Sequence, residues 1–99
     1  MRIAVPHNTT LQKARRIIEL KLEDAQNQYG NYAEEIEHEW DGDTLLVSLK
    51  AKGLKATGTL EITETDVIID GKLPLIAKPF ESKIRNALAA EAESMFRTA

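Results

Sequence analysis

Three tight turns constrain this chain most, because they divide residues 33 to 73 into four strands of alternating polarity. The turns are the Asp41 and Gly42 pair, the Lys52 and Gly53 pair, and residues 63 to 66. Asp-Gly favours a type I′ hairpin, which requires positive φ at both central positions. If each turn closes its hairpin, the apolar side chains of all four strands fall on one face. A shift of one residue at any turn would invert that agreement.

The same turns predict which residues face each other. The first turn places Trp40 opposite Asp43 and His38 opposite Leu45. The remaining turns predict that Gly58 faces both Val47 on one side and Gly71 on the other. Two neighbouring glycines leave a shallow trough in an apolar face, which either lets a helix approach closely or leaves room for a small apolar ligand.

Helical patterns stand on both sides of this region. Residues 2 to 6 alternate as a short first strand that a proline ends. Thr9 and Gln12 then match a capping box before a helix that runs from Leu11 to a C′ residue at Gly30. The final helix has Pro79 in its first turn. Its predicted apolar stripe comprises Phe80, Ile84, Leu88, Ala92 with Ala87, and Met95.

The resulting element order is βαββββα, and both helices need the single apolar face of the sheet. We therefore predict an α+β two-layer sandwich in a single domain, residues 1–99. Its five-stranded antiparallel sheet has the order 2-3-4-5-1, with both helices on one face. The stretch LPLIAKPF, residues 73 to 80, is predicted to close the core, with at least one of its apolar side chains under the final helix.

Composition narrows the class of protein. The chain has 99 residues, a net charge of −3 and no cysteine. An acidic chain is unlike most nucleic-acid binders, which present a basic face. The absence of cysteine removes disulfides and thiolate metal sites, which fits a reducing cytoplasm. No apolar run approaches the ~20 residues of a membrane span, and the N-terminus does not match a signal peptide. We expect a cytoplasmic protein without a transmembrane segment.

The two histidines are the candidates for acid–base or metal chemistry. His38 lies in EHEWDGD, but strand alternation turns it inward while the adjacent glutamates face outward. We therefore expect His38 and Trp40 at the margin of the core. His7 has no second histidine at a metal-ligand spacing, so a loop role is expected. Nucleophile and phosphate-loop motifs are absent from the sequence, which predicts no catalytic residue, no metal site and no cofactor.

Two long stretches carry a family resemblance: IAVPHNTTLQKARRIIE, and the sequence from EWDGDTL through KATGTLEI and LPLIAKPF to KIRNAL. On these the chain resembles the polyhydroxyalkanoic acid system proteins, small bacterial proteins encoded near polyhydroxyalkanoate synthesis genes and often described as granule-region proteins. The matching positions are structural, so the resemblance implies no catalytic residue. The element order is also similar to a reduced helix-grip fold, as in START and Bet v 1-like proteins, with fewer strands.

Three functional hypotheses follow. The resemblance implies a non-enzymatic accessory protein of polyhydroxyalkanoate metabolism, with the granule or its proteins as partner. The second hypothesis is a small carrier that holds an acyl or other apolar ligand between the final helix and the glycine trough. Its predicted lining residues are Val47, Gly58, Gly71, His38, Trp40, Ile84 and Leu88. The third is an enzyme that uses His38 or His7 with a carboxylate. Residues 33–40 are also a candidate edge strand for pairing in a homodimer.

Overall fold

The computed structural model describes residues 1–31 and 34–97, apart from the side chain of Tyr29. Its elements are β1 (Arg2–Pro6), α1 (Leu11–Tyr29), β2 (Glu35–Asp41), β3 (Thr44–Ala51), β4 (Leu54–Ile62), β5 (Asp66–Lys72), a 3-10 helix (Leu75–Phe80) and α2 (Glu81–Phe96). The sheet is antiparallel throughout and has the order β1-β5-β4-β3-β2. The predicted α+β sandwich and its strand order are confirmed.

The second and third turns produce the predicted register. Lys52 and Gly53 have φ of 52° and 77°, as a type I′ turn requires. Val47 consequently faces Gly58 across β3 and β4, and Gly58 faces Gly71 across β4 and β5. The two glycines of the predicted trough are therefore paired neighbours in the sheet.

The first hairpin turn lies one residue later than predicted, so each β2 residue pairs two residues further along β3. Trp40 pairs with Leu45, so Gly42 and Asp43 form the loop. Only Gly42 has positive φ, 61°, which suits a turn with glycine at its first central position rather than a type I′ turn. The expected pairing of Trp40 with Asp43 and of His38 with Leu45 was wrong. Because side chains alternate with a period of two, a shift of two residues leaves the inner face unchanged.

The buried core occupies one end of the sandwich. The buried apolar residues are Ile3, Val5, Ala14, Ile18, Leu45, Ile62, Val67, Ala92 and Phe96. Those of the strands lie toward the end of the sheet that carries the 63–66 turn. At the opposite end, inner-face residues Leu49 and Leu54 remain 40% and 45% exposed. The inner face is therefore covered at one end and open at the other.

The ends of α1 differ slightly from the sequence expectation. The N-cap is Thr10, whose hydroxyl accepts the backbone N–H of Lys13 at 3.2 Å, so the cap predicted at Thr9 was off by one residue. Gly30 ends the helix with a right-handed φ of −58° rather than as a left-handed C′ residue. A Cβ at this position would lie 2.5 Å from the carbonyl oxygen of Gln26, so close approach accounts for the glycine.

The buried face of α2 is displaced toward its C-terminus. Ala92 and Phe96 are its buried residues, and Phe96 was not among those predicted. Ile84 and Met95 are half-buried, whereas Phe80, Ala87 and Leu88 are exposed, which makes that part of the predicted stripe wrong. The reason is position: α2 packs mainly along the edge strand β1, and only the part of the stripe over that strand is covered.

Candidate functional site

The most exposed large apolar residues of the described chain lie in the 3-10 helix. Leu75 is 85% exposed, Ile76 68% and Phe80 57%. This segment contacts α2, and none of its residues is buried. The prediction that it closes the core was therefore wrong. The chain instead presents three large apolar side chains to solvent within six residues.

Basic residues are frequent in the stretch of sequence that carries these apolar residues. Residues 72 to 85 contain four cations and one anion, a net charge of +3 in a chain of net charge −3. The cations are Lys72, Lys78, Lys83 and Arg85, all exposed. The anion, Glu81, lies 3.5 Å from the ammonium group of Met1. Within residues 1–31 and 34–97, none of the four cations has a carboxylate at ion-pair distance. Lys72 lies on the outer face of the sheet, with Thr57 and Asp70. We call the other three cations, with Leu75, Ile76 and Phe80, the apolar-basic surface.

The nearest neighbours of the glycine trough do not belong to a closely packed helix, which was one of the two expectations. A Cβ on Gly71 would meet the terminal methyl of Met1 at 3.0 Å, and the Met1 side chain is only 4% exposed. A Cβ on Gly58 would meet the backbone oxygen of Asp70 at 3.1 Å, and its three nearest atoms all belong to β5. Met1 and the adjacent strand, rather than a helix, are therefore the nearest neighbours of the trough.

The structure brings some predicted ligand-binding residues together and separates others. His38, Val47 and Gly58 border an open depression of about 910 Å³, whose other walls are mainly polar residues of the outer sheet face. His38 and Trp40 border a second depression of about 420 Å³, beside α1. Neither depression is lined by Gly71, Ile84 or Leu88. The seven predicted residues therefore do not form one enclosed pocket.

Trp40 contacts α1 through the side chain of Arg15. The guanidinium carbon of Arg15 lies 4.1 Å from the ring centroid, a cation–π distance. The same guanidinium donates to the carbonyl oxygen of Gly42 at 3.0 Å and to Glu19 at 3.2 Å. This contact ties α1 to the β2–β3 hairpin.

The two histidines occupy opposite environments. His7 is 0% exposed; its Nε2 lies 2.9 Å from the carbonyl oxygen of Thr63, and its Nδ1 lies 3.2 Å from the backbone N–H of Thr9. Because the carbonyl only accepts and the amide only donates, the neutral ring with hydrogen on Nε2 satisfies both. The Phe96 ring lies 6.3 Å away, centroid to centroid. His38 is exposed, with Nδ1 3.3 Å from Nε2 of Gln26. Sequence alternation could not reveal the burial of His7, because His7 follows the strand.

Two carboxylates lie close together on the outer face of β2, Glu35 and Glu37. A hydrogen bond that protonated Glu37 donates to the Glu35 carboxylate, and the charge of Glu35, both raise the pKa of Glu37 above its ordinary value of 4.5. Slight desolvation acts in the same direction, and the charge of Lys55 opposes it. Both glutamates are exposed on an edge strand, so this local repulsion bears on the edge of the sheet.

The described part of the chain contains neither a cluster of metal ligands nor a helix that could span a membrane. Across residues 1–31 and 34–97, the histidine, aspartate and glutamate side chains do not gather in any group of three suited to a metal ion. Among the helices of those same residues, none has both the length and the hydropathy that crossing a bilayer requires.

These observations define a small α+β sandwich, closed at one end, with an exposed apolar segment that is rich in basic residues. The sequence matches the family described as "Putative polyhydroxyalkanoic acid system protein" over residues 1–96, and the chain belongs to that family. Neither a curated protein nor a solved structure matches the chain, and the helix-grip comparison stays a prediction.

Proposed function

We propose that this protein is a non-enzymatic accessory protein of polyhydroxyalkanoate metabolism that binds at the polymer granule in the cytoplasm. Family membership supports the process. The observation that carries the mode of action is the exposure of Leu75, Ile76 and Phe80. Scattered apolar residues are ordinary on protein surfaces, but a cluster of large ones commonly marks a binding site.

The size of the apolar segment suits reversible attachment. Fully burying one leucine, isoleucine or phenylalanine side chain stabilises by about 1.5–3 kcal/mol, so burying three at a granule would contribute about 4–9 kcal/mol before association costs. Those costs are several kcal/mol. The net result is weak to moderate, reversible binding.

Fractionation of polymer-accumulating cells tests the proposal. The wild-type chain should sediment with granules, and the double variant Leu75→Ser with Ile76→Ser should move to the soluble fraction. The matched control is Leu20→Ser with Leu46→Ser, since those residues are 48% and 41% exposed on other surfaces. Recovery of the wild-type chain only in the soluble fraction, without a polymer-related partner, would overturn the proposal.

A second candidate function is a carrier for an acyl or other apolar ligand. It is favoured by the open end of the inner face, where Leu49 and Leu54 stay 40% and 45% exposed near Gly58. The ligand would lie on the trough beneath the half-buried Ile84 of α2. Native mass spectrometry of protein purified from its own host should then show a bound lipid or hydroxyacid that Gly58→Val removes. Repeated absence of any bound species would count heavily against the carrier.

The enzyme hypothesis now depends on His38. Both ring nitrogens of His7 are used in buried hydrogen bonds, whereas His38 reaches solvent. A His38→Ala variant that retains every measurable cellular role would remove this candidate.

Homodimer formation also remains a proposal. The strand predicted at 33–40 begins at Glu35 and is an edge of the sheet, while Ala33 falls outside the described residues. An unpaired edge can add a strand from a second copy. Size-exclusion chromatography with light scattering, repeated with a proline at His38 to block strand pairing, measures it directly. A monomer at every concentration would exclude the dimer.

A further inference from the structure

We infer that the apolar-basic surface docks on an anionic lipid surface, with its apolar side chains among the acyl chains and its cations at the headgroups. This inference rests on the proposed function, because it assigns the proposed binding surface to lipid rather than to polymer or protein. Two independent features carry it: the exposure of the apolar residues and the sign of the charge around them.

The apolar residues have the exposure that interfacial insertion needs. Leu75, Ile76 and Phe80 are 85%, 68% and 57% exposed, so they can enter an interface without unfolding of the core. Interfacial segments bury their apolar face about 5–10 Å into the boundary between headgroups and acyl chains. Side chains of one short 3-10 helix can reach that depth.

The cations distinguish an anionic lipid from a neutral occupant. Three basic side chains stand within residues 78 to 85, and the one carboxylate among them, Glu81, lies 3.5 Å from the ammonium group of Met1. A neutral polyester or an apolar protein groove would leave these charges without a partner. Each lysine or arginine near an anionic membrane surface strengthens partitioning about fivefold.

Part of the acidic charge lies far from the apolar-basic surface. Of the nearer carboxylates, Glu91 of α2 pairs with Lys21 and Asp70 of β5 with Arg2, while Glu93 of α2 is exposed. The glutamates of β2 lie at the opposite edge of the sheet from β1, along which α2 packs. Four strand spacings separate these edges, roughly 19 Å. The Debye length at physiological ionic strength is about 8 Å, so repulsion between those glutamates and an anionic surface is largely screened. The docking face can therefore be cationic although the chain is acidic.

Vesicle co-sedimentation of the purified full chain tests this inference. Vesicles of phosphatidylcholine alone are compared with vesicles that also contain phosphatidylglycerol. We expect at least about tenfold stronger partitioning to the anionic vesicles, and its loss in molar salt. The variant Lys78→Gln with Lys83→Gln should weaken anionic binding by roughly 25-fold, about fivefold for each charge. Lys13→Gln, an exposed cation on α1, is the matched control and should bind as the wild type.

The apolar contribution is tested separately with Leu75→Ala and Ile76→Ala together. This variant should bind anionic vesicles at least about tenfold more weakly, because each substitution removes apolar carbons that insertion would bury. Leu20→Ala should bind as the wild type. Since all substituted residues are exposed, unchanged circular dichroism spectra are expected and confirm that folding is not the cause.

The outcomes separate the two proposals. Equal binding to both vesicle types, or no vesicle binding, overturns the lipid inference. If granule association still depends on Leu75 and Ile76 in that case, the occupant is the polymer or a coat protein and the proposed function stands. Vesicle binding that follows the predicted order supports the lipid inference, whether or not the protein is found on granules. Absence from granules would overturn the proposed function alone.

Discussion

Replacing His7 with leucine should destabilise the protein far more than the same replacement of His38. Leucine keeps the apolar volume at position 7 but can neither donate to the carbonyl of Thr63 nor accept from the N–H of Thr9, contacts of 2.9 and 3.2 Å. Both backbone groups would then stay without a partner beside a side chain that is 0% exposed.

The contacts of His7 set the expected magnitude. Each buried backbone group left unsatisfied costs about 1–3 kcal/mol. The aromatic pairing with Phe96 adds about 0.5–1.5 kcal/mol, part of which leucine recovers by packing. We expect the free energy of unfolding to fall by about 3–5 kcal/mol, a large share of the ~5–15 kcal/mol typical of a domain. At about 4–8 °C for each kcal/mol, the melting temperature should fall by at least ~12 °C.

Urea and thermal unfolding followed by circular dichroism at neutral pH provide the measurement. His38→Leu is the matched control and should change the free energy of unfolding by no more than about 0.5 kcal/mol, because His38 is exposed. His7→Gln, which keeps a donor and an acceptor, should recover part of the loss. A His7→Leu variant that loses less than about 1 kcal/mol, or no more than the control, would refute the reasoning.

Three further predictions concern stability. Arg15→Ala should lower the free energy of unfolding by about 1–2 kcal/mol, because it loses the Trp40 ring contact and a backbone hydrogen bond. Arg15→Lys should recover only part of this loss, because a lysine lacks the planar guanidinium group. Full recovery in urea titrations would contradict this prediction. The pKa of Glu37 is raised above 4.5 in the folded chain. Protonated Glu37 therefore stabilises the fold, and this stabilisation is fully present below pH 4.5 and is lost as the pH rises through the folded pKa. Glu37→Gln should therefore flatten the dependence of the urea midpoint on pH in that window, and an unchanged slope would count against the carboxylate pair. Gly58→Ala should destabilise more than Gly71→Ala, since the added Cβ meets a backbone oxygen at Gly58 but a flexible methyl at Gly71; the reverse order of melting temperatures would show that the methyl cannot move.

Local sequence predicted the sheet well because turns and alternation are short-range. The Lys52 and Gly53 turn placed Val47 opposite Gly58 with no correction. The first hairpin shows the limit of such reasoning. Asp41 and Gly42 suit a type I′ loop, but the adopted loop begins at Gly42, and both registers keep the same face toward the core. Side-chain alternation decides the face and leaves the choice between registers two residues apart to the turn itself.

The candidate site was predicted much less well, because exposure depends on where one element lies over another. The apolar spacing of α2 predicts a stripe through Phe80, Leu88 and Ala92, and the helix does form over that range. Yet Phe80 and Leu88 are exposed while Phe96 is buried. Periodicity defines the side of a helix that is apolar; it does not define how much of that side has a sheet beneath it.

The sequence by itself determined the element order, the two faces of the sheet and the pairing of Gly58 with Gly71, since each follows from contacts between near neighbours or from a period of two. Tertiary structure alone decided that His7 is buried between Thr9 and Thr63, and that Leu75 and Ile76 are left in solvent. The physical reason is the same in both cases. Burial is a property of what covers a side chain, and that cover comes from segments distant in the sequence.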